Sequence, residues 1–410
     1  MAKIRDISVN NPLLALKNRN FRLYWLGMCV SLAGTWMQNT AQPWLAYSLT
    51  DSPFLLSLTG VMQFTPLIFL SLPAGVLIDR IPKKRILLIT QSSSLAVTLC
   101  LALLVWTGQV RYWHILVASA ALGVVNTLDM PARQSFVVEM VGKEDLGGAI
   151  ALNSMAFNLA RVFGPALAGV VMTLYGTAMC FYVNSFSFAA VLLVLAFIHP
   201  AYSPPPPAER RGVREEIMEG LRYIRRKPYL IRVMGGIFVT LLFAGNYNVL
   251  VPVLAKTVLG MGESGFGILL SCLGVGSFFG AAFVASGSRQ GPREYILRRF
   301  PYLVAALLLL TGLSRQFVPA ALCLAGMGFF LVSYTSTANA AVQYRTEDRY
   351  RGRVMSVYVL VFCGCAPLGN LVSGAVAEHL GASAAYWICG AGILAMSLPL
   401  RMLQGKAGKE

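Results

Sequence analysis

The sequence has 410 residues, of which 56% are hydrophobic and 12% are charged, and its mean hydropathy is +0.64. Soluble proteins carry roughly 25% charged residues, and here apolar runs long enough to cross a bilayer recur along nearly the whole chain. The composition excludes a soluble globular protein. The net charge of +17 does not indicate nucleic-acid binding, because the basic residues lie in short loops and form no continuous basic surface.

Twelve apolar runs, separated by charged or Pro/Gly-rich breaks, predict twelve transmembrane helices and therefore an all-α membrane protein. The predicted spans are 21–49, 54–78, 86–107, 112–131, 148–174, 178–198, 229–254, 264–285, 296–313, 317–342, 352–377 and 383–402. A polar segment with four consecutive prolines and a short amphipathic stretch separates the sixth span from the seventh. We therefore expect an N-terminal six-helix bundle over 1–198, a cytoplasmic linker over 199–228 and a C-terminal six-helix bundle over 229–410.

The basic residues are distributed very unequally between the two sides of the predicted spans. The side of the N-terminus carries 30 of the 34 Lys and Arg residues, whereas the opposite loops carry Arg111, Lys256 and Arg315. Loops on the cytoplasmic side of a membrane are enriched in Lys and Arg. We therefore expect both termini to be cytoplasmic and the chain to be a multi-pass protein of the plasma membrane, in particular a bacterial inner membrane.

The cysteines and histidines do not have the pattern of a metal site. All eight cysteines lie in apolar runs without the spacing of zinc ligands, and the three histidines lie near span ends. A glycine-rich stretch from Gly274 to Gly280 lies inside the eighth span with no strand before it, so it predicts helix packing rather than nucleotide binding. We expect no metal, no cofactor and no catalytic residues.

The loop after the second span has the pattern GVLIDRIPKKR, from Gly75 to Arg85. It resembles the signature loop of the major facilitator superfamily, Gly-x-x-x-Asp-Arg-x-x-Arg-Arg, with Pro82 where that family commonly has glycine. Gly75 allows close helix approach, and Asp79 can face the positive N-terminus of another helix. The resemblance implies that this helix is the eleventh span and that the contact locks the outward-facing state. The predicted cytoplasmic gate consists of Gly75, Asp79, Arg80, Arg85, Arg351 and Arg353.

Three stretches of the N-terminal half resemble a narrower group, the drug and siderophore exporters related to the enterobactin exporter. They are GTWMQ in the first span, DMPARQ from Asp129 to Gln134, and NLARVFGP from Asn158 to Pro165. This resemblance implies two six-helix bundles and secondary active transport by alternating access. The Gly164–Pro165 pair, which predicts a helix break, resembles a motif of antiporters and implies export, with protons as the coupling ion.

Polar side chains inside the spans are costly in lipid, so the faces that carry them indicate either a cavity or hydrogen bonds between helices. One such stripe follows the first span and another follows the fifth, each repeating at about one helical turn. The resemblance places both spans beside the central cavity, which favours a lining role. The predicted cavity residues are Thr35, Gln38, Gln42, Asn158, Arg161, Asn246, Asn248 and Asn339.

Arg161 and Asp129 are the charged residues with predicted roles inside the membrane. Arg161 lies 13 residues into its span, about 20 Å deep, and no carboxylate is predicted at its depth. It therefore either faces an anionic substrate or is held by backbone groups at the predicted break beside Pro165. Asp129, predicted at the cytoplasmic end of the fourth span, is the best candidate for a proton carrier.

These observations predict a secondary active transporter that exports a small amphipathic or anionic molecule, such as a siderophore or a drug, in exchange for protons. We expect it to act as a monomer. A lysophospholipid flippase of the same superfamily is an alternative, because a related branch resembles the sequence too. A membrane-embedded enzyme acting on lipid-linked substrates would need polar groups clustered at one interface, and only residues 129–139 approach that pattern.

Overall fold

The computed structural model describes residues 12–142, 145–198, 213–287 and 291–402, and within these ranges all regular structure is helical. The helices are α1 (Arg19–Thr50), α2 (Pro53–Arg80), α3 (Lys83–Trp106), α4 (Tyr112–Val141), α5 (Leu146–Tyr175), α6 (Thr177–Phe197), α7 (Val213–Arg225), α8 (Pro228–Ala244), α9 (Tyr247–Val253), α10 (Glu263–Ser286), α11 (Glu294–Leu313), α12 (Phe317–Arg345) and α13 (Asp348–Met402). A 3-10 helix, Pro12–Lys17, precedes α1, and a π-helical turn, Leu254–Val258, follows α9.

The described residues contain twelve crossing helices, six before α7 and six after it. Ten segments are long and apolar enough to cross a membrane, with α8, α9 and the π-helical turn counted as one. One of the ten, α13, holds two crossings, because Gly381 has a φ of 83° and interrupts the helix; glycine adopts that conformation readily. The remaining crossing is the 32-residue α1. The predicted fold class is confirmed, and the cytoplasmic position of the termini stays a prediction.

The fourth crossing helix is longer than predicted. The sequence predicts that this span ends at residue 131, but α4 continues through Pro131 to Val141. A proline inside a membrane helix is tolerated where neighbouring helices satisfy the freed backbone groups. Asp129 therefore lies 12 residues before the end of α4. The predicted end of the fourth helix at residue 131 is wrong, and Asp129 lies within a crossing helix rather than at its end.

A second correction concerns the helix break. The break predicted at Gly164 and Pro165 is absent, because α5 is continuous through both residues. The interruption lies instead in the seventh span, where Gly245 and Asn246 separate α8 from α9. Non-helical backbone at membrane depth is tolerated only where it is buried in protein or lines a cavity. The break therefore indicates that α9 belongs to the protein interior or to a cavity wall.

The two sets of six crossings meet where α2 packs against α13 and where α5 packs against α10. Small residues allow both close approaches. A methyl group at Gly274 of α10 would lie 2.7 Å from the carbonyl oxygen of Arg161, and Gly374 of α13 packs directly against α2. Gly276 and Gly280 approach the backbone of α12 just as closely. The glycine-rich stretch of the eighth span therefore serves helix packing, as predicted.

We call the end of the helices at which α1 and α13 begin the inner end, and the opposite end the outer end. The short helix α7 packs at the inner end on α13. Gly220 lies against the backbone of Arg353, and Glu219 forms an ion pair with the Arg353 side chain. Tyr223 stacks on Tyr350 with ring centroids 4.6 Å apart. The predicted domain boundaries stay predictions, and the proline run of the linker lies outside the described residues.

Candidate functional site

A cavity of about 190 Å³ lies between the two sets of helices, enclosed by α1, α2, α5, α9, α10 and α13. Its wall combines amide side chains, aromatic rings and, among the described residues, one charged group. The polar and aromatic lining residues are Trp36, Asn39, Thr40, Gln42, Thr59, Gln63, Phe64, Arg161, Tyr247, Asn248 and Asn370. Ligand pockets commonly combine apolar walls with a few convergent polar groups that orient the ligand. We refer to this space as the central cavity.

Arg161 is the charged residue of the central cavity. It lies halfway along α5, and its Nη2 donates a hydrogen bond to Asn158 Oδ1 at 2.9 Å. Its Nε is buried and has no hydrogen-bond partner in the described part of the chain. None of the ion pairs between described residues includes Arg161. A guanidinium in this setting has donors available for an anionic acceptor in the cavity.

The predicted stripe of the first span forms a row of hydrogen bonds inside the N-terminal set of helices. Asn184 of α6 donates to Gln38 Oε1 at 2.6 Å, and Thr35 Oγ1 lies 3.5 Å from Asn184 Oδ1. Gln38 donates to Gln42 at 3.2 Å, and Gln42 donates to Ser119 of α4 at 2.8 Å. Thr35 and Gln38 therefore connect helices in this structure, whereas Gln42 connects helices and also lines the cavity.

The cavity face of α1 is the neighbouring one, made of Trp36, Asn39, Thr40 and Pro43. These positions follow the i, i+3, i+4, i+7 spacing of a single helix face. These residues were not predicted from the sequence, because the amide stripe beside them is the stronger signal. The amide stripe of α1 has buried polar partners in the fourth and sixth spans, and these partners are the signal that distinguishes it from the cavity face.

The other predicted cavity residues lie at four different places. Asn248 lines the central cavity, as Arg161 does. Asn246 is buried behind the wall, where its Nδ2 lies 3.5 Å from the carbonyl oxygen of Gly369. Asn158 holds Arg161 from the preceding turn of α5. Asn339 lies nearer the inner end, in a separate hollow.

That hollow has a volume of about 720 Å³ and opens at the inner end between α12 and α13. We call it the inner vestibule. It combines hydroxyl, amide and aromatic groups with one guanidinium. Its lining residues are Thr335, Ser336, Asn339, Ala340, Gln343, Tyr344, Arg351, Tyr358 and Phe362. The volume is in the range of pockets that hold drug-sized molecules.

The predicted cytoplasmic gate residues lie at the inner end, on α2, α3 and α13. Arg351 pairs with Asp348 of its own helix, and Arg353 pairs with Glu219 of α7. Gly75 lies within α2, and the side chains of Arg80 and Arg85 are exposed. The side chain of Asp79 lies outside the described part of the structure. The gate therefore stays a prediction.

At the outer end the two sets of helices are joined by polar contacts. Lys256 forms an ion pair with Asp51, and Trp44 donates a hydrogen bond to Glu263 at 3.1 Å. Glu378 of α13 accepts hydrogen bonds from the start of α2. A further hydrogen bond between the two sets at this end joins the Thr173 and Ser264 hydroxyl groups at 2.7 Å. These contacts hold the two sets together at the outer end, whereas the inner vestibule opens at the inner end.

Asp129 belongs to a network inside the N-terminal set, away from the central cavity. It is buried, and it accepts hydrogen bonds from Thr90 Oγ1 at 2.7 Å and from Gln91 Nε2 at 2.8 Å. One turn later on α4, Arg133 forms an ion pair with its carboxylate. The guanidinium of Arg133 also contacts the Met28 sulfur. The sequence did not predict that Asp129 has Thr90, Gln91 and Arg133 as partners.

Comparison with known proteins gives a family and several relatives. Residues 10–408 match the model of the family described as transmembrane secretion effector. The staphyloferrin A transporter of Staphylococcus aureus is 25% identical over 91% of this chain and 93% of its own length. The multidrug efflux pump Tap of Mycolicibacterium fortuitum is 27% identical over 90% of each chain. The enterobactin exporter EntS of Citrobacter koseri is 22% identical over 94% of this chain and 92% of its own.

Solved structures share the fold at lower sequence identity. The nucleoside transporter NupG superposes with a TM-score of 0.70, covering 95% of this chain and 98% of its own at 13% identity. A bacterial homolog of the human lysosomal transporter Spinster, in an inward-facing and unoccupied conformation, superposes with a TM-score of 0.68. It covers 97% of this chain and 96% of its own at 13% identity. At these identities the likeness concerns the fold alone.

Proposed function

Because the chain belongs to the transmembrane secretion effector family of the major facilitator superfamily, we propose that it exports a small anionic or amphipathic molecule by alternating access, driven by protons. Its relatives and structural neighbours are transporters and not enzymes. It is therefore a multi-pass transporter of small molecules in a bacterial inner membrane. Since the central cavity lies within one chain, we propose that a monomer suffices for transport.

The observation that carries this proposal is the unpaired Arg161 guanidinium in the central cavity. Removing a charge from water costs several kcal/mol unless a partner or water replaces its hydration. The structure gives Arg161 one amide oxygen as an acceptor and leaves its Nε without one. An anionic substrate would supply the missing acceptors through charge-assisted hydrogen bonds. The aromatic rings of Trp36 and Tyr247 in the same wall would contact its apolar part.

The relatives narrow the proposed substrate to siderophore-like or drug-like molecules. One is named for staphyloferrin A, one for enterobactin and one for multidrug efflux. Siderophores commonly carry carboxylates or catecholates, which are acceptors that Arg161 can bind.

We assign proton coupling to Asp129, because this carboxylate is buried and its protonation would remove the counter-charge of Arg133. That loss would favour a rearrangement of the network.

Transport by reconstituted vesicles tests the proposal. An aromatic carboxylate, its neutral amide, its cationic amine analogue and a lysophospholipid are each presented under an imposed pH gradient. We expect the carboxylate to be moved fastest and its accumulation to collapse with a protonophore. Transport of the lysophospholipid alone would favour the flippase instead. Accumulation that survives the protonophore would exclude proton coupling.

Alternating access is tested at the predicted inner gate. Closing the inner vestibule would bring the loop after α2 towards α13, so Asp79→Asn and Arg80→Ala should slow transport without reducing expression, because losing the charges shifts the balance of conformers. Arg22→Ala is the matched control, since Arg22 is an exposed basic residue of α1 at the same end. Normal transport rates for both gate variants would refute the gate role.

A further inference from the structure

We infer that Glu378 is a gating residue, which closes the outer end of the transport path by capping the N-terminus of α2 from the opposite set of helices. Glu378 lies three residues before Gly381, where the eleventh crossing ends. Its Oε2 accepts a hydrogen bond from Ser52 Oγ at 2.8 Å and another from the Phe54 backbone N–H at 3.2 Å. The inference rests on the proposed function in one respect only, that the two sets of helices separate during transport.

The first turn of α2 shows why the carboxylate matters. The first backbone N–H groups of a helix have no partner within the helix. Here Pro53 has no N–H, and Leu55 donates to the side chain of the N-cap residue Ser52 at 3.1 Å. Leu56 donates to the backbone oxygen of Ser52 at 3.0 Å. The N–H of Phe54 is the donor that remains, and its acceptor comes from the other set of helices.

Charge and packing act in the same direction at this contact. A carboxylate at a helix N-terminus is favoured by the partial positive charge there. One turn before Glu378, Gly374 packs against Ser57, so the two helices already approach closely. The Asp51–Lys256 ion pair joins the same two sets nearby. Opening the outer end therefore separates a charge from a helix dipole and leaves the Phe54 N–H to water.

The Glu378 contact resembles the predicted inner gate, because in both a carboxylate near the end of one helix faces the start of the other, but the roles of the two helices are exchanged. The predicted inner gate sets Asp79, near the end of α2, against the start of α13. At the outer end Glu378, near the end of the eleventh crossing, meets the start of α2. Transporters built from inverted repeats are expected to place equivalent contacts at opposite ends of one helix pair. Breaking one contact while forming the other would make the two ends alternate.

Hydrogen–deuterium exchange of the full chain in nanodiscs tests the inference without any substrate. In Glu378→Gln the carboxylate charge is lost, and peptides covering residues 51–58 should exchange about two- to fivefold faster than in the wild type. Glu378→Asp keeps the charge on a shorter side chain and should fall between the two. His379→Gln is the matched control, because His379 is the adjacent exposed residue. In transport assays Glu378→Gln should change the maximal rate more than the apparent affinity.

Unchanged exchange at residues 51–58 in Glu378→Gln would overturn the inference. So would faster exchange spread evenly over all crossing helices with a large fall in melting temperature, since that would mean a structural role. If Glu378→Gln does not fold, an unchanged exchange rate in Glu378→Asp would overturn the inference in the same way. A wild type that moves none of the tested molecules, together with faster exchange confined to this segment, would refute the proposed function and leave the gate supported.

Discussion

Two arginines inside neighbouring crossing helices, Arg133 and Arg161, meet opposite surroundings. Arg133 lies one turn from Asp129 and forms an ion pair with it inside the N-terminal set of helices. Arg161 faces the cavity between the two sets and bonds to an amide oxygen, with no carboxylate beside it among the described residues. Both guanidinium groups are costly to remove from water. The difference indicates that the first is compensated by the protein itself and the second by water or a ligand.

The two arginines also differ in how completely the polar groups around them are hydrogen-bonded. The carboxylate beside Arg133 accepts two further hydrogen bonds, from Thr90 and Gln91 of α3. Such a network is expected to hold helices together and to respond as a unit when one charge is neutralised. Arg161 has a buried Nε without an acceptor, so its network is incomplete. Hydrogen-bond donors without an acceptor beside a cavity support the proposed role of Arg161 in binding an anion.

The largest expected effect comes from breaking the hydrogen-bonded network around Asp129. Asp129→Asn removes the counter-charge of the partly buried Arg133, which should destabilise the protein by up to about 3–5 kcal/mol, the cost of breaking a buried pair. It should also abolish accumulation of substrate under a proton-motive force, while substrate binding at the distant central cavity persists in the folded fraction. Unfolding curves and vesicle accumulation, measured on the same preparations, give the two quantities.

The double variant Asp129→Asn/Arg133→Gln separates stability from coupling. Because both charges are then absent, we expect much of the lost stability to return. Coupling should stay lost, since no group remains at this place to take up a proton. A double variant that still concentrates substrate against its gradient would show that the coupling group lies elsewhere.

The second-largest expected effect is on ligand binding at Arg161. Arg161→Gln should weaken binding of an aromatic carboxylate by about 10- to 100-fold, because a hydrogen bond to a charged group contributes about 1.5–3 kcal/mol. Binding of the neutral amide analogue should change little, and the melting temperature should not fall. Isothermal titration at one pH measures both ligands. Equal losses for both ligands, with a large fall in melting temperature, would mean that Arg161 has a structural role.

The number of helices was predictable from the sequence, but the faces of the helices were not. Apolar length follows from bilayer thickness, which one sequence reveals by itself. Gln38 and Asn39 are adjacent, so their side chains point about 100° apart around the helix axis. Which of them faces the cavity depends on Asn184 of α6, a partner from another helix that holds Gln38. The sequence does not show which helices become neighbours.

The Asp129–Arg133 pair was missed for a related reason. An acid and a base four residues apart meet only if the helix continues between them, and Pro131 favours ending a helix in water. In the structure α4 nevertheless continues through Pro131, since a proline inside a membrane helix is tolerated where the freed backbone groups find other partners. The same correction places Asp129 within a crossing helix rather than at its end. It thereby strengthens the case for Asp129 as the proton carrier, which stays a prediction.

The smallest expected effect concerns two threonine hydroxyl groups, one inside the network around Asp129 and one outside it. Thr90 and Thr98 lie two turns apart on α3, and both are buried. Thr90 donates to Asp129, whereas the Thr98 hydroxyl has no hydrogen-bond partner in the described part of the chain. Thr90→Val should destabilise the protein by about 1 kcal/mol and slow proton-driven transport, because it removes one of the donors to the carboxylate. Thr98→Val replaces an unpaired hydroxyl with a methyl group of nearly the same shape and should be neutral or stabilising.

Melting temperatures and transport rates of the two variants, measured side by side, test both expectations. Equal effects would mean that the network around Asp129 contributes no more than an isolated buried hydroxyl, and coupling through it would then have no structural support.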